Sequence, residues 1–503
     1  MAYINNVVAM FLLKEFQKDE SNFLLDPPSC LMIHRLLPEI SKNLILRGLI
    51  STEDGKLQYP DLKNHDIFIN TSKEYNINVY IAGLEQLGIL KRYKDFYQIN
   101  KYFFSTMKKI LKDGLINEKD KFHRRAKGYE KFLDKGMNKF YKFINEKIFN
   151  QLGKDCQDNE INNFLVQANF LNKDSDKRKY QFGTSFKQLL DKTEELIRQF
   201  FFEYFQHKDF RNLNEKKYKF FRLLFYLATL EPGAYFTEFP PQYYDPSFDK
   251  ILDFMNQTGF ISIKEEKNLN IKKYFCTPLI QSLFDNNNIS EDYAIMKYGD
   301  ENADRFLFVE TNMRFYAFMP QIKNKKKSNQ TSINLSLNEN STLSSFGLDK
   351  DNKDEKVNFY VNLLKAIFKI EMIFPDNGLV GYITRENIKK ILKNSDSLSI
   401  LQFLSDHMSL NYDDVTTIKG KKYLINESVV NQIMVLENEK KSVELVKNVV
   451  CYCDFYNSEQ YKDLLNIMKR REIPIINEGN MINQIIVINQ SDEKIIEKEY
   501  KSL

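Results

Sequence analysis

The chain has 503 residues, of which 43% are hydrophobic and 28% charged, with a formal net charge of +5. This balance is typical of a globular protein with several domains and excludes collagen-like and glycine-rich chains. A charge so close to neutral permits contact with nucleic acid but does not by itself favour it.

The cysteines and the apolar runs indicate the cellular environment of the protein. An odd number of scattered cysteines is typical of a reduced, intracellular protein, and here they are Cys30, Cys156, Cys276, Cys451 and Cys453. The apolar run Val7–Leu13 predicts a first helix rather than a signal peptide. The run Phe220–Leu230 is too short to cross a bilayer and contains Arg222. We therefore expect a soluble protein without a membrane partner.

Three segments in the first 300 residues share one pattern. In each, an apolar residue is followed two positions later by Gln, then two positions later by Gly or Asn, and then by an apolar pair. The residues concerned are Gln86 and Gly88, Gln167 and Asn169, and Gln257 and Gly259. Gly and Asn tolerate the left-handed conformation just past a helix end. The pattern predicts a helix end, a strand, a charged turn and a returning strand, as in the second half of a winged helix.

This repeat predicts three tandem winged-helix-like modules, at residues 1–115, 120–207 and 208–290. A long aromatic helix is expected at Phe186–Phe205. Winged helices often bind DNA through a helix and a basic wing. The two turns that we compare carry charges of both signs, at Lys91, Arg92, Lys94 and Asp95 and at Lys264, Glu265, Glu266 and Lys267. Mixed charge favours a scaffold, and a winged-helix DNA-binding transcription regulator is kept as the alternative.

The run FVETNMRFYAF at residues 308–318 is apolar but contains Glu310 and Arg314. Lone charges are costly to bury, so these two side chains need partners or solvent. If Thr311–Met313 forms a hairpin loop, the two charges face each other across its mouth. They would then lie half-exposed at the hairpin tip until a partner covers them.

The next segments differ sharply in composition. Residues 322–356 are rich in Asn, Ser and Lys, which predicts a disordered insertion. A helix is predicted at Val357–Met372. A second is predicted to begin at Thr384 as N-cap, with Glu386 in its first turn. A hairpin is predicted to turn at Lys419 and Gly420.

The last segment, residues 443–503, has a compact α/β pattern of three strands and one helix. Cys451 and Cys453 share one strand face and are expected to be buried small apolar residues rather than metal ligands. Ser458 is the expected cap of the helix. So thin a sheet has an exposed edge, which invites pairing with another chain.

The sequence has no GxxxxGK[ST] loop, no GxGxxG after a strand, and no HExxH or GxSxG motif. The five histidines are dispersed, and no carboxylate pair stands out. These observations favour a scaffold over an enzyme. We expect no catalytic residues, no cofactor and no metal.

The segment DPPSCLMIHRLLPEISKNLILRGLI at residues 26–50 resembles a signature of general transcription factor IIH subunit 4. That family is the TFIIH core subunit that anchors the XPB translocase. The matching positions are Pro27, Cys30, Leu31, Arg35, Leu37, Pro38, Lys42, Asn43 and Arg47. Later landmarks match at Val309–Asn312, Arg314, Tyr316 and Ala317, at Thr384, Arg385 and Glu386, and at Gln432, Ile433, Glu437 and Glu439.

These matches run in order through nearly the whole chain. Two departures stand out, since the insertion at 322–356 is long and Leu436 replaces an expected Trp. The resemblance implies an α+β, mainly helical fold of tandem winged-helix-like modules followed by a clutch domain at 297–442. It also implies a small C-terminal α/β dimerisation domain at 443–503.

The resemblance further implies a function. The protein would be a nuclear, non-catalytic TFIIH subunit that anchors and stimulates the XPB ATPase in transcription initiation by RNA polymerase II and in nucleotide excision repair. Its partners would be XPB, the small subunit TTDA and other core subunits, with DNA touched only indirectly or weakly. The expected XPB-binding residues are Glu310, Arg314, Tyr316, Arg385 and Glu386. The expected TTDA-binding residues are Val449, Cys451, Cys453 and Phe455.

Overall fold

A computed structural model gives the fold of most of the chain. It describes residues 7–16, 18, 20–58, 77–114, 128–157, 159–174, 177–233, 235–266, 271–284, 289–320, 354–374, 378–409, 414–442, 448–453, 455, 457–478, 485–493 and 495–496. The chain divides into two compact units, Met1–Leu436 and Glu437–Leu503. The finer division into modules stays a prediction.

The helices, numbered in chain order, account for most of the secondary structure. They are α1 (Val7–Phe16), α2 (Glu20–Leu25), α3 (Pro27–Leu36), α4 (Glu39–Ser51), α5 (Ile77–Gln86), α6 (Lys101–Asp113), α7 (Tyr129–Lys147), α8 (Glu160–Gln167), α9 (Thr193–Gln206), α10 (Lys208–Arg211), α11 (Lys216–Thr229), α12 (Asp249–Gln257), α13 (Pro278–Ser282), α14 (Ile289–Tyr298), α15 (Glu355–Ile367), α16 (Arg385–Ile391), α17 (Ser397–His407), α18 (Glu427–Ser442) and α19 (Ser458–Arg470). Short 3-10 helices lie at Phe149–Gln151, Thr184–Leu190, Pro246–Phe248 and Gln490–Asp492.

The strands form small antiparallel sheets. They are β1 (Lys56–Gln58), β2 (Leu90–Arg92), β3 (Phe96–Ile99), β4 (Leu171–Lys173), β5 (Tyr180–Phe182), β6 (Tyr235–Phe236), β7 (Ile261–Glu266), β8 (Ile271–Cys276), β9 (Leu307–Val309), β10 (Arg314–Phe318), β11 (Lys369–Ile373), β12 (Gly378–Tyr382), β13 (Thr416–Ile418), β14 (Lys421–Tyr423), β15 (Val449–Tyr452), β16 (Ile475–Glu478) and β17 (Ile486–Asn489). Their orders are β1-β3-β2, β4-β5, β6-β8-β7, β11-β12-β10-β9, β13-β14 and β15-β17-β16. The fold is therefore α+β and mainly helical, as the sequence predicts.

The repeated helix end is present in all three segments. Gly88, Asn169 and Gly259 have φ values of 67°, 58° and 85°. They follow α5, α8 and α12, and the hairpins β2–β3, β4–β5 and β7–β8 come next. The predicted order of helix, strand, turn and strand is confirmed. The turn at Lys419 and Gly420 is confirmed too, with φ values of 49° and 80°.

The predicted helix at Phe186–Phe205 is wrong, because it is two elements. A 3-10 helix ends at Leu190, and α9 begins at Thr193. Between them the backbone is extended, with ψ of 165° at Asp191. The Thr193 hydroxyl makes a 2.9 Å hydrogen bond with the buried Tyr141 hydroxyl, a long-range contact that holds the start of α9 and that helical periodicity does not predict.

The predicted helix at Val357–Met372 is also wrong at its end. α15 stops at Ile367, and the apolar residues that follow form the strand β11. Ile370 and Met372 of β11 pair with Gly381 and Val380 of β12. Tertiary pairing with β12 therefore decides the conformation of an apolar run whose local pattern is ambiguous.

The predicted insertion at 322–356 lies outside the described residues up to residue 353. Its last residues are ordered, which corrects its C-terminal boundary. Asp354 caps α15 by accepting a 3.0 Å hydrogen bond from the Lys356 N–H. Both side chains are buried, because residues from earlier parts of the chain, Asp304 and Tyr298, contact them.

The core of the first unit is built largely from phenylalanine and tyrosine rings. The Tyr204 ring of α9 stacks on Phe254 of α12 with centroids 3.9 Å apart. Phe200, one turn earlier in α9, stacks on the same ring at 6.0 Å. Such pairs add about 0.5–1.5 kcal/mol beyond the area that they bury.

The N-terminal signature segment is part of this core. Asp26 accepts hydrogen bonds from the Ser29 N–H at 3.1 Å and the Tyr243 hydroxyl at 2.7 Å. The Cys30 thiol is buried and donates to the Leu24 carbonyl at 3.1 Å. Burial raises the pKa of this thiol well above its ordinary value. These signature residues therefore hold α3 in place and supply no thiolate nucleophile.

The second unit packs one helix against a three-stranded sheet. Its core contains Leu464 and Met468 of α19 with Ile486 and Ile488 of β17. The cap of α19 is Asn457 rather than Ser458, since the Asn457 side chain accepts from the backbone N–H of Gln460 at 2.9 Å.

The expectation that Cys451 and Cys453 are buried is wrong, since both are exposed. Val450 and Tyr452 take the core side of this segment. Because side chains alternate along an extended chain, the cysteines lie on the opposite side.

Candidate functional site

The hairpin between β9 and β10 has the predicted geometry. The Glu310 N–H donates to the Arg314 carbonyl at 2.8 Å, and the Met313 N–H donates to the Glu310 carbonyl at 3.0 Å. Met313 has a φ of 68°, which closes the turn. Glu310 and Arg314 therefore oppose each other at the mouth of the loop, and both are half-buried.

Their side chains do not form an ion pair with each other. Glu310 accepts a 2.9 Å hydrogen bond from the Asn312 amide, and Asn312 in turn accepts the Arg314 N–H at 2.8 Å. The Arg314 guanidinium carbon lies 5.6 Å from the Tyr316 ring centroid and 5.5 Å from that of Tyr382. Contacts of this kind stabilise by about 0.5–2 kcal/mol. Arg314 is thus held in place by two tyrosine rings.

The sheet β11-β12-β10-β9 presents one face away from the core. Arg314 of β10 is aligned with Tyr382 of β12, and the next outward position, Tyr316, is aligned with Phe308 and Val380. On the edge strand β11, Lys369 is opposite Tyr382 and Met372 is opposite Val380. A register shift between Ile370 and Met372 brings Met372 to this face.

This outer face is largely apolar. Phe318 is 67% exposed, Met372 54%, Phe374 43% and Phe308 38%. Phe374 lies on the same face, because its N–H donates to the carbonyl of Gly378 at 2.7 Å and Gly378 is aligned with Phe318. Contiguous exposed apolar surface on a soluble domain marks an interaction site. We call these four residues, with Arg314, Tyr316 and Tyr382, the outer face.

The start of α16 adjoins the hairpin tip. The Ile383 N–H donates to the Met313 carbonyl at 2.8 Å. Thr384 caps α16, as predicted, by accepting from the Asn387 N–H at 3.3 Å. Arg385 and Glu386 follow in the exposed first turn. The structure therefore brings four of the residues expected to bind XPB, Glu310, Arg314, Arg385 and Glu386, to one end of the sheet, and the fifth, Tyr316, lies two residues further along β10.

Sequence reasoning missed the apolar part of this surface. Alternation along β9 and β10 could have indicated Phe308 and Phe318. Met372 could not be recognised as a residue of this face, because the sequence predicts a helix at Val357–Met372. Tyr382 needed the register between β10 and β12, which only the structure gives.

The second unit contains the other predicted site. In the part of the chain that the structure describes, β15 lies at the edge of its sheet and is paired on one side with β17. Val449 is half-buried and Cys451 is exposed on this strand. Cys453 follows it and is also exposed. Phe455 differs from the other three, since its ring packs edge-on against Tyr461 at 5.3 Å.

The described residues offer no group of three or more His, Cys, Asp or Glu side chains that could hold a metal ion. Burial raises the pKa of the Cys276 thiol to about 12, so it is a core residue rather than a nucleophile. In the part of the chain that the structure describes, no helix is both long and apolar enough to span a bilayer.

An exposed apolar sheet face flanked by charges is typical of a surface that binds another protein. The family model of Transcription factor Tfb2 matches residues 11–409. The chain therefore belongs to the Tfb2 family, which is a family of structural subunits of TFIIH. Membership of this family implies that the protein functions in transcription and DNA repair in the nucleus, together with other TFIIH subunits. No curated protein matches the chain.

The family match has a defined extent. It includes the outer face and α16, and it ends before α18 and the second unit. The outer face therefore belongs to the part of the chain that defines the family.

Proposed function

We propose that this TFIIH subunit anchors XPB and stimulates its ATPase during promoter opening and nucleotide excision repair. The outer face supports this proposal more than any other observation. It combines exposed apolar side chains with an arginine and two tyrosines on one rigid sheet.

The composition of the outer face suits a protein partner. Tyrosine and arginine are enriched among the residues that dominate binding energies, and they act best in desolvated positions. Arg314 is already fixed between Tyr316 and Tyr382, so little side-chain entropy is lost when a partner covers it. Phe318 and Met372 would supply the buried centre of the contact.

The charged end of the sheet would set the orientation of XPB. Glu310, Arg385 and Glu386 border the hairpin tip with charges of both signs. Charges at the rim of an interface contribute more to register and encounter rate than to affinity. We therefore assign specificity to this end and affinity to the apolar surface.

Stimulation of XPB would require no chemistry from this chain. The hairpin is held to β12 by a full antiparallel register from Arg314 to Phe318 and to α16 by the Ile383 hydrogen bond. A rigid platform of this kind limits the orientations of a bound ATPase domain. Fewer unproductive orientations lower the entropic cost of reaching the active arrangement.

The second unit would pair with TTDA through β15. The edge of a sheet is a common site at which another chain adds a strand. The exposed Cys451 and Cys453 side chains would lie within that contact.

The anchoring proposal is tested by two matched double variants. Phe318→Asp/Met372→Asp places charges on the outer face, whereas Ile50→Asp/Leu111→Asp places them at other exposed apolar positions, which are 78% and 54% exposed. We expect the first variant to lose co-purification with XPB and stimulation of its ATPase, and the second to retain both. If both variants bind XPB like the unmodified chain, with unchanged circular dichroism, the proposal is wrong.

A further inference from the structure

Four lysines gather where α7 lies beside the hairpin β7–β8, namely Lys131, Lys135, Lys139 and Lys264. Three of them are spaced four residues apart on α7, which places them on one face of the helix. The Lys135 ammonium donates to the Ser262 hydroxyl of β7. Lys264 lies two residues beyond Ser262, so both point to the same side of the strand. We call these four residues the lysine patch.

The lysine patch lacks carboxylate partners among the described residues. Lys139 donates to the side-chain and backbone oxygens of Asn256 at 2.6 and 3.1 Å, and Lys264 lies 5.5 Å from the Phe275 ring centroid. None of the four forms an ion pair with a carboxylate that the structure describes.

Two other lysines of the same elements are paired with carboxylates. The Lys142 ammonium of α7 lies 3.7 Å from the Glu146 carboxylate, and that of Lys272 in β8 lies 3.7 Å from Glu265. The four patch lysines therefore differ from Lys142 and Lys272.

Electrostatics within the lysine patch is unfavourable. Burial, together with the charges of Lys139, Lys264 and Lys131, lowers the pKa of Lys135 to about 8. Burial also lowers the pKa of Lys139. Like charges held together in a partly desolvated place destabilise the free protein, and an anion bound there would remove that cost.

We propose that the lysine patch binds the phosphodiester backbone of duplex DNA. Lysine is depleted at protein–protein interfaces but is a common phosphate ligand. A patch that consists of lysines alone therefore favours nucleic acid over an acidic protein segment.

The geometry favours a duplex contacted through its backbone. Lys131 and Lys139 are separated by eight residues of helix, or about 12 Å. A length of about 12 Å along a duplex carries roughly three to four phosphates of one strand.

Single-strand binding relies on bases that stack on open aromatic rings. The rings beneath the patch, Phe132 and Phe275, are buried and stack on each other. We expect a contact that does not depend on base sequence.

The test measures binding of the purified full-length chain to a fluorescent duplex of about 30 base pairs across a salt titration. The patch variant is Lys131→Gln/Lys135→Gln/Lys264→Gln. The control variant is Lys142→Gln/Lys250→Gln/Lys272→Gln, which removes the same charge from lysines that are paired with described carboxylates. Circular dichroism verifies that both variants fold.

The unmodified chain should bind the duplex with strong salt dependence. The patch variant should lower the magnitude of the slope of log K against log salt by about 2–3, at about 0.9 per phosphate contact. The control should change it by less than 1. Equal binding by both variants overturns the proposal, as does tighter binding to single-stranded DNA or to polyglutamate than to duplex. XPB is absent from this experiment, so a negative result leaves the anchoring proposal untouched.

Discussion

The Lys356 ammonium lies 2.5 Å from the Asp304 carboxylate, with the Lys356 side chain only 2% exposed. The pair is an ionic contact rather than an aligned hydrogen bond, and the Tyr293 and Tyr298 rings lie 5.2 and 5.8 Å from the ammonium. It joins the start of α15 to the segment that leads into β9. The base of the sheet that carries the outer face is therefore tied down by a buried charge pair.

Removing one member of this pair should destabilise the first unit. Asp304→Asn leaves the Lys356 ammonium buried without its ion-pair partner, and we expect the free energy of unfolding to fall by about 3 kcal/mol. The double variant Asp304→Asn/Lys356→Met removes that charge and should recover part of the loss. Urea unfolding followed by circular dichroism measures both variants. A double variant no more stable than the single one would contradict this account.

Gly381 of β12 should tolerate no side chain. A Cβ atom there would overlap the Lys369 carbonyl oxygen and approach Phe315 Cε1 to 2.8 Å. We expect Gly381→Ala to separate β11 from β12 and to lower the melting temperature by several degrees. The control is Gly378→Ala on the same strand, where the new Cβ would lie 3.4 Å from the nearest Phe374 atoms, an ordinary contact. Equal melting temperatures for the two variants would be inconsistent with this packing.

Local features of this fold could be read from the sequence. The helix ends at Gly88, Asn169 and Gly259 and the cap at Thr384 depend on residues close in sequence, and the structure confirms them. Lys356 shows the limit of that approach. The composition around Lys356 predicts a disordered insertion. Composition cannot reveal that Lys356 is buried, because its ion-pair partner Asp304 lies 52 residues earlier in the chain.

In the candidate site, too, the features set by residues close in sequence could be predicted, and those set by distant residues could not. Glu310 and Arg314 are four residues apart, so the hairpin that joins them could be predicted. The rings that hold Arg314 could not both be predicted, because Tyr382 reaches it only through the β10–β12 register. Met372 depends in addition on the register shift in β11. The pairing of strands that are distant in sequence decides which residues lie together on the outer face, and sequence patterns do not predict that pairing.

Charge reversal at the hairpin should affect XPB binding unequally. Arg314→Glu removes the contacts with Tyr316 and Tyr382 and places an anion between two rings, so we expect at least a tenfold loss of affinity. Glu310→Lys should cost less, because the side-chain partner of Glu310 among the described residues is the Asn312 amide of the same loop. Lys390→Glu, exposed on α16, is the control. Titration of XPB by calorimetry would measure all three, and unchanged affinity for Arg314→Glu would exclude this residue from the interface.

The two units should bind their partners separately. Deleting residues 443–503 removes β15 with its sheet, and we expect TTDA to be lost from purified complexes while XPB stays bound. The reason is that the core of the second unit is formed by its own helix and strands. Co-purification of both partners with the shortened chain provides the measurement. Retention of TTDA would assign its binding site to the first unit.

The stability of the free protein should depend on pH through Lys135. Its folded pKa of about 8 is below the ordinary value of 10.5, so the folded state carries the cost of the charged form at pH 7. As pH rises from about 8 to 10.5 the folded state loses this proton before the unfolded state does, and stability should increase.

The groups that face the Lys135 ammonium are Lys131, Lys139, Lys264 and the Ser262 hydroxyl. Lys135→Gln should therefore melt at a higher temperature than the unmodified chain at pH 7 in low salt. The difference should shrink at pH 9.5 and in high salt, where charges are neutralised or screened. Lys142→Gln, whose lysine is paired with Glu146, should show no such gain. A difference in melting temperature between Lys135→Gln and the unmodified chain that changes with neither pH nor salt would contradict an electrostatic cost in the lysine patch.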